Sequence, residues 1–176
     1  MSSGKPLRLF FALSCPPGLA ERIDNWRDSL TIHGRPVPRD NLHLTLAFLG
    51  SQPETALDGL KRLGDQLRGE AFTLRLDQLR TIAQGFLCLT PTQVPPPLLQ
   101  LVDDLRSGLS ALGVALDSRP FLPHVTLVRE AAFQPPCAAA ERFELSVDGF
   151  GLFCSESVSG GVRYDEVMRW PLSPRH

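Results

Sequence analysis

A four-residue pattern, His-apolar-Thr-Leu, occurs twice in this chain, as His43-Leu-Thr-Leu46 and His124-Val-Thr-Leu127. An Arg-Pro pair precedes each copy, Arg35-Pro36 and Arg119-Pro120. With four His and eight Thr in 176 residues, chance would place a Thr two positions after a His well under once. Both copies sit inside apolar runs that read as strands, and side chains two apart on a strand share a face. His43 and Thr45 are therefore expected on one face, with Leu42, Leu44, Leu46 and Phe48 on the other. His124 and Thr126 share a face opposed by Val125 and Leu127. If the two halves are related by a rough two-fold, these polar faces can converge on one cleft.

The surrounding pattern gives the remaining elements. Leu19, Ile23, Trp26 and Leu30 recur at helical spacing between Pro16-Pro17 and Gly34. Leu57, Leu60, Leu63 and Leu67 repeat it, with Ser51 and Glu54 fitting a capping box and Gly69 as a stop. Leu98, Leu101, Val102, Leu105, Leu109 and Leu112 form a third stripe, after Pro95-Pro96-Pro97 and before Gly113. Strands are expected over Leu7–Leu13 and Phe86–Leu89, apolar on both faces. Phe72–Asp77 and Phe143–Asp148 alternate and should have one buried face. Leu152–Cys154 and Val162–Leu172 close the chain, with Ser159-Gly160-Gly161 as a turn. The order β-α-β-α-β-β-α-β-β-β-β reads as α+β, mostly antiparallel sheet with helices on the outside. Residues 1–176 are read as one bilobal domain, and the Pro-rich stretch Pro91–Pro97 as a connection between lobes.

Composition narrows the classes. A chain with 43% apolar and 21% charged residues buries a core without staples. No apolar run approaches the roughly 20 residues of a membrane span. A net charge of −1 argues against coating long nucleic acid by bulk electrostatics. Sixteen Arg against two Lys reads as compositional bias, so each arginine is judged by position. Cys15, Cys88, Cys137 and Cys154 stand apart without a C-x-x-C pair, as reduced thiols do in a cytoplasmic protein. The apolar run after Arg8 is too short for a signal sequence and reads as the first buried strand. No phosphate-binding glycine loop and no G-x-S-x-G elbow is present.

Two imidazoles flanking a small site suit general acid–base chemistry near neutral pH. One ring takes a proton from water while the other gives one to a leaving oxygen. Two threonine hydroxyls can donate to the non-bridging oxygens of a phosphoryl group between them. That set matches hydrolysis of a cyclic phosphodiester without a metal, since no carboxylates cluster near either tetrad. A zinc site built from both His and a Cys is the competing reading, and it leaves the two Thr unexplained. Arg129 is a candidate phosphate contact, although regular alternation puts it opposite His124, so it needs a bulge or a strand end. Phe48 could stack on a base, but its parity assigns it to core packing. His33, near a helix end, and His176, at the terminus, are set aside.

The paired tetrads resemble the two-histidine (2H) phosphoesterase superfamily, and within it the RNA 2′,3′-cyclic phosphodiesterases, also called 2′-5′ RNA ligases. The resemblance extends over Arg8-Leu-Phe-Phe-Ala-Leu13, Asn41-Leu-His-Leu-Thr-Leu-Ala-Phe-Leu-Gly50, Arg119-Pro-Phe-Leu-Pro-His-Val-Thr-Leu-Val-Arg129 and Tyr164…Arg169-Trp170. It implies two pseudo-symmetric lobes around a central cleft, with His43 as proton donor to the departing ribose O3′ and His124 as proton acceptor from water. Thr45 and Thr126 would hold the phosphate, and the product would be a 2′-phosphomonoester formed without cofactor. Run backwards, the site would join a cyclic end to a 5′-hydroxyl through a 2′-5′ linkage. The implied partner is RNA with a 2′,3′-cyclic phosphate end, handled by a cytoplasmic monomer with no membrane and no obligate protein partner. The alternatives are a 2H enzyme acting on a small cyclic phosphate or a 2′-5′-linked oligonucleotide, and an RNA-end binding module without turnover.

Overall fold

The computed structural model describes residues 4–132 and 138–174. Cys137 and His176 lie outside them. Among the described residues nine strands form one sheet: β1 (Leu7–Ser14), β2 (Arg35–Pro36), β3 (His43–Gln52), β4 (Phe72–Ile82), β5 (Phe86–Thr90), β6 (Val125–Arg129), β7 (Ala138–Val147), β8 (Gly149–Val158) and β9 (Gly161–Pro171). Three helices accompany them: α1 (Pro17–Ser29), α2 (Leu57–Gln66) and α3 (Pro96–Ala111). Every pairing between these strands is antiparallel, in the order β7-β4-β5-β6-β3-β1-β8-β9, with β2 beside the far end of β6. The α+β reading is what the chain adopts.

The order is a palindrome of connections. In one half, β1-α1-β3 places its two strands side by side, and β8 and β9 extend the sheet outward. In the other, β5-α3-β6 does the same, and β4 and β7 extend it. The halves meet where Leu44 of β3 pairs with Val125 of β6. These are the residues between His and Thr in the two tetrads, so the rough two-fold passes through the repeat itself.

The core follows from alternation. Leu9, Phe11 and Leu13 of β1, Leu44 and Leu46 of β3, Leu87 and Leu89 of β5, and Val125 and Leu127 of β6 face the helices. They join Ile23 of α1, Leu60 of α2 and Leu98, Leu105 and Leu109 of α3 in one apolar cluster. Helix α1 crosses to the other half, where Trp26 meets Phe143 of β7 edge-on at 5.4 Å. Helix α2 rests on β9 at Trp170, whose Nε1 donates to Asp65 at 2.8 Å. A side chain at Gly64 would drive its Cβ into that indole, so only glycine permits the contact. Phe10, Ala12 and Phe153 form a second cluster with Tyr164, on the opposite face of the sheet. That explains why β1 is apolar on both faces.

Two local expectations need correcting. Ser51 and Glu54 form no capping box: Ser51 continues β3, Glu54 opens a 3₁₀ turn over Glu54–Ala56, and α2 begins after Ala56 with no side-chain cap. Leu112 belongs to no buried stripe, because α3 ends at Ala111 and Leu112 is 50% exposed. The Ser159-Gly160 turn joins β8 to β9 as expected. Pro91–Pro97 leads from β5 into α3, with Pro95 at its N-cap.

Candidate active site

The Leu44–Val125 pair sets His43 against Thr126 and Thr45 against His124 if the antiparallel register is continued one residue each way. All four side chains are half-buried and line one cavity of about 450 Å³. Arg8, Phe10, Asn41, Phe48, Arg129 and Tyr164 also line it. Two arginines and two histidines face this space and, among the described residues, no carboxylate does, so it favours an anion.

The two imidazoles are held in the same way. His43 Nδ1 lies 2.7 Å from the carbonyl of Asn41, and His124 Nδ1 lies 2.7 Å from the carbonyl of Leu122. A carbonyl only accepts, so each Nδ1 carries hydrogen and each Nε2 is the nitrogen that exchanges protons. His43 Nε2 sits 3.0 Å from Thr45 Oγ1, which places an oxygen within proton-transfer reach of it. Behind Thr126 lies the buried thiol of Cys88, with Phe86 O at 3.6 Å and Thr126 Oγ1 at 3.7 Å. Burial pushes the pKa of that thiol up to about 11, so it stays protonated.

The ring of His43 is enclosed by aromatic groups. Phe10 lies 5.1 Å from it and Tyr164 meets it edge-on at 5.0 Å. This burial holds its pKa below the ordinary histidine value, and the positive charges of Arg129 and His124 act in the same direction. The hydrogen bond to Asn41 opposes the shift.

Paired bulges place the remaining groups. On β3, Ala47 and Thr45 face consecutive residues of β1, Phe11 and Ala12, leaving Leu46 as an extra residue. On β6, Val128 and Thr126 face Leu87 and Cys88 of β5, leaving Leu127 extra. Both extra residues end a tetrad, and each reverses the alternation beyond it. Arg129 therefore reaches the cleft, as a bulge was needed to allow, and donates to Tyr164 Oη at 3.3 Å. Phe48 turns outward by the same device. It is 52% exposed with Arg8 over its ring at 5.6 Å, so the assignment to core packing is overturned.

Sequence reasoning missed Arg8, Phe10, Asn41 and Arg27. Alternation along β1 sets Arg8 and Phe10 against Leu9 and Phe11, a signal that could have found both. Arg27 falls within the apolar stripe of α1 and is buried. Its Nη1 donates to the carbonyls of Val37 at 2.6 Å and Leu127 at 3.1 Å, the second being the bulged residue of β6. Asp24 accepts from both Arg27 and Arg39. Gly34 passes close enough that a Cβ there would lie 2.9 Å from Arg129 O, at a φ of 155°. Among the described residues, no cluster of three or more His, Cys, Asp or Glu is placed to hold a metal ion.

Residues 15–135 match the family described as the 2′-5′ RNA ligase superfamily. The RNA 2′,3′-cyclic phosphodiesterase of Escherichia coli K12 is 37% identical over 96% of this chain and 98% of its own length. The enzyme of that name from Thermus thermophilus is 29% identical over 97% of this chain and 92% of its own. The crystal structure of E. coli LigT complexed with 3′-AMP superposes with a TM-score of 0.88 at 38% identity, covering 95% of this chain and 98% of that one. The fold and the two tetrads thus define a 2H phosphoesterase. The chain belongs to the 2′-5′ RNA ligase superfamily.

Proposed function

We propose that this protein hydrolyses RNA 2′,3′-cyclic phosphate ends to 2′-phosphomonoesters by two-histidine acid–base catalysis, without a metal or cofactor. The observation that carries the reading is the matched pair of imidazoles, each held through Nδ1 to a backbone carbonyl and lining one cavity that, among the described residues, no carboxylate lines. The names of the relatives point to the same reaction.

In the proposed step the cyclic phosphate sits between the tetrads, its non-bridging oxygens taking hydrogen bonds from Thr45, Thr126 and Arg129. Water on the His124 side gives its proton to Nε2 as it attacks phosphorus. The P–O3′ bond breaks on the opposite side, and O3′ takes the proton of His43. Burial holds the pKa of His43 below the ordinary histidine value in the empty site, and the substrate's negative charge pushes it back up. Binding of the anion thus favours the charged form of the acid. Developing charge is met by groups already in place, which is where such sites gain most of their rate.

The working unit is proposed to be one bilobal, cytoplasmic monomer. No helix among the described residues is long and apolar enough to cross a membrane. The test is a short RNA with a 2′,3′-cyclic end incubated with the protein and excess chelator. A 2′-phosphate product, lost in His43→Ala, is expected. RNA bound and released unchanged would make the protein an end-binding module. Activity lost to chelator and restored by zinc would overturn the metal-free mechanism.

A further inference from the structure

The two imidazoles share a hydrogen-bonding pattern, but their supports differ. In the repeat, Asn41 stands two residues before His43, where Leu122 stands two residues before His124. Each supplies the carbonyl that accepts from Nδ1, at 2.7 Å in both cases. Leu122 carries an apolar side chain with no donor, and its backbone is stiffened between Pro120 and Pro123. Asn41 closes the 3₁₀ turn Arg39–Asn41, and its side chain can donate. Asn41 Nδ2 donates to the Val162 carbonyl of β9 at 2.8 Å, across 121 positions of sequence.

This bond fixes a peptide group whose other tie is long. The peptide unit between Asn41 and Leu42 carries the carbonyl that holds His43 at one end and the Leu42 N–H at the other. That N–H reaches Arg39 O at 3.3 Å, beyond the usual range for such a bond. A carbonyl free to swing would let the imidazole turn with it, and carry Nε2 away from Thr45 Oγ1, which now lies 3.0 Å from it. Strand β9 thus grips His43 twice. Tyr164 meets the ring edge-on at 5.0 Å, and Val162, two residues earlier, ties down the residue that accepts from Nδ1. Val162 is itself paired with Ser157 of β8, so the anchor is a ladder position.

We propose that Asn41 is a positioning residue for His43: its side-chain amide, held by β9, fixes the carbonyl that orients the ring and so keeps Nε2 aimed at the oxygen it serves. The proposal rests on the reading that His43 exchanges its proton through Nε2. The amide touches no reacting atom and acts through His43, whereas His124 takes its aim from the proline-stiffened segment. The half that must hand a proton to one of two neighbouring ribose oxygens is the half with the added hydrogen bond.

The test is a double-mutant cycle on hydrolysis of a short RNA with a 2′,3′-cyclic end, using Asn41→Ala, His43→Ala and the two combined. Asn41→Ala should reduce kcat by about 10- to 100-fold, the upper end being the cost of a reacting group misplaced by about 1 Å, with KM unchanged. The double variant should be no slower than His43→Ala alone, because nothing remains to be aimed. Asn41→Leu, similar in volume but without a donor, should reproduce the loss, and thermal denaturation of each variant shows that the losses belong to folded protein. Losses that multiply in the double variant would mean that Asn41 acts apart from His43, and would overturn the proposal. So would a normal kcat in Asn41→Leu, or a raised KM with normal kcat, which would place the amide on the substrate instead. A His43→Ala variant as fast as the wild type would overturn the underlying reading, and the positioning role with it.

Discussion

The two halves of the sheet carry the same motif in different surroundings. In the register of the rough two-fold, Ala12 lies beside Thr45 as Cys88 lies beside Thr126. Phe10 then corresponds to Phe86. Phe10 is only 4% exposed, stacked on Phe153 and met edge-on by Tyr164, because the β8–β9 hairpin covers that half. Phe86 is 41% exposed, since β4 opposite it supplies Ile82 and no aromatic cover. The bulges repeat as well, but they deliver Phe48 on one side and Arg129 on the other. A duplicated motif fixes where the reacting nitrogens stand. What lies beyond the bulge and along the sheet edge decides what each nitrogen does.

That contrast can be broken first at the histidines. His43→Ala and His124→Ala should each reduce kcat by about 10²-fold or more, with far-ultraviolet dichroism unchanged. Near-normal kcat in either variant would end the paired mechanism.

Arg129 and Phe48 sharpen the comparison next. Arg129→Ala should raise KM and reduce kcat/KM by roughly 10- to 100-fold, the scale of a lost charge-assisted hydrogen bond. Phe48→Ala, at the matching position, should leave kcat for hydrolysis near normal, since that ring touches no reacting atom. Arg27→Met should cost about 2–4 kcal/mol of stability by stranding buried carbonyls and an acidic partner. It should also lower kcat/KM, because the bulge that aims Arg129 loses its brace. Chemical denaturation and steady-state kinetics on the same sample separate the two effects.

The smallest effect is one of pH. His43 has a folded pKa below 6.5, so the unfolded chain takes up a proton before the folded one does. Its contribution to stability is complete above 6.5 and is lost as pH falls through the folded pKa. His43→Asn should flatten that slope in denaturation midpoints measured on either side of the window. Bound substrate should move the basic limb of kcat to higher pH than that of kcat/KM, because the phosphate charge raises His43. A basic limb unmoved by substrate would remove the proposed arrival of the acid with the anion.

Most of the framework was legible because it depends on period. The helical stripes of Leu19, Leu60 and Leu101 and the alternation of Phe143 and Leu145 survive in the structure with little change. The tetrads were legible because they repeat. Phe48 was not, since one extra residue at Leu46 inverts parity and nothing in the local sequence announces it. Arg129 could be recognised as needing such an irregularity only because its resemblance to a phosphate contact conflicted with alternation. Arg27 was hidden for a different reason. A buried arginine satisfied by the carbonyls of Val37 and Leu127, one in a loop and one a hundred residues away on β6, leaves no periodic trace, and its partners are brought together only by folding.

The division of labour between the histidines is open to direct test with a nucleoside 2′,3′-cyclic phosphate carrying sulfur at the 3′ bridging position. A thiolate leaves without a proton, so the acid is no longer needed while the base still is. His43→Ala should then recover most of the wild-type rate, and His124→Ala should stay as impaired as on the oxygen substrate. Rescue of His124→Ala with no rescue of His43→Ala would exchange the two roles and contradict the account.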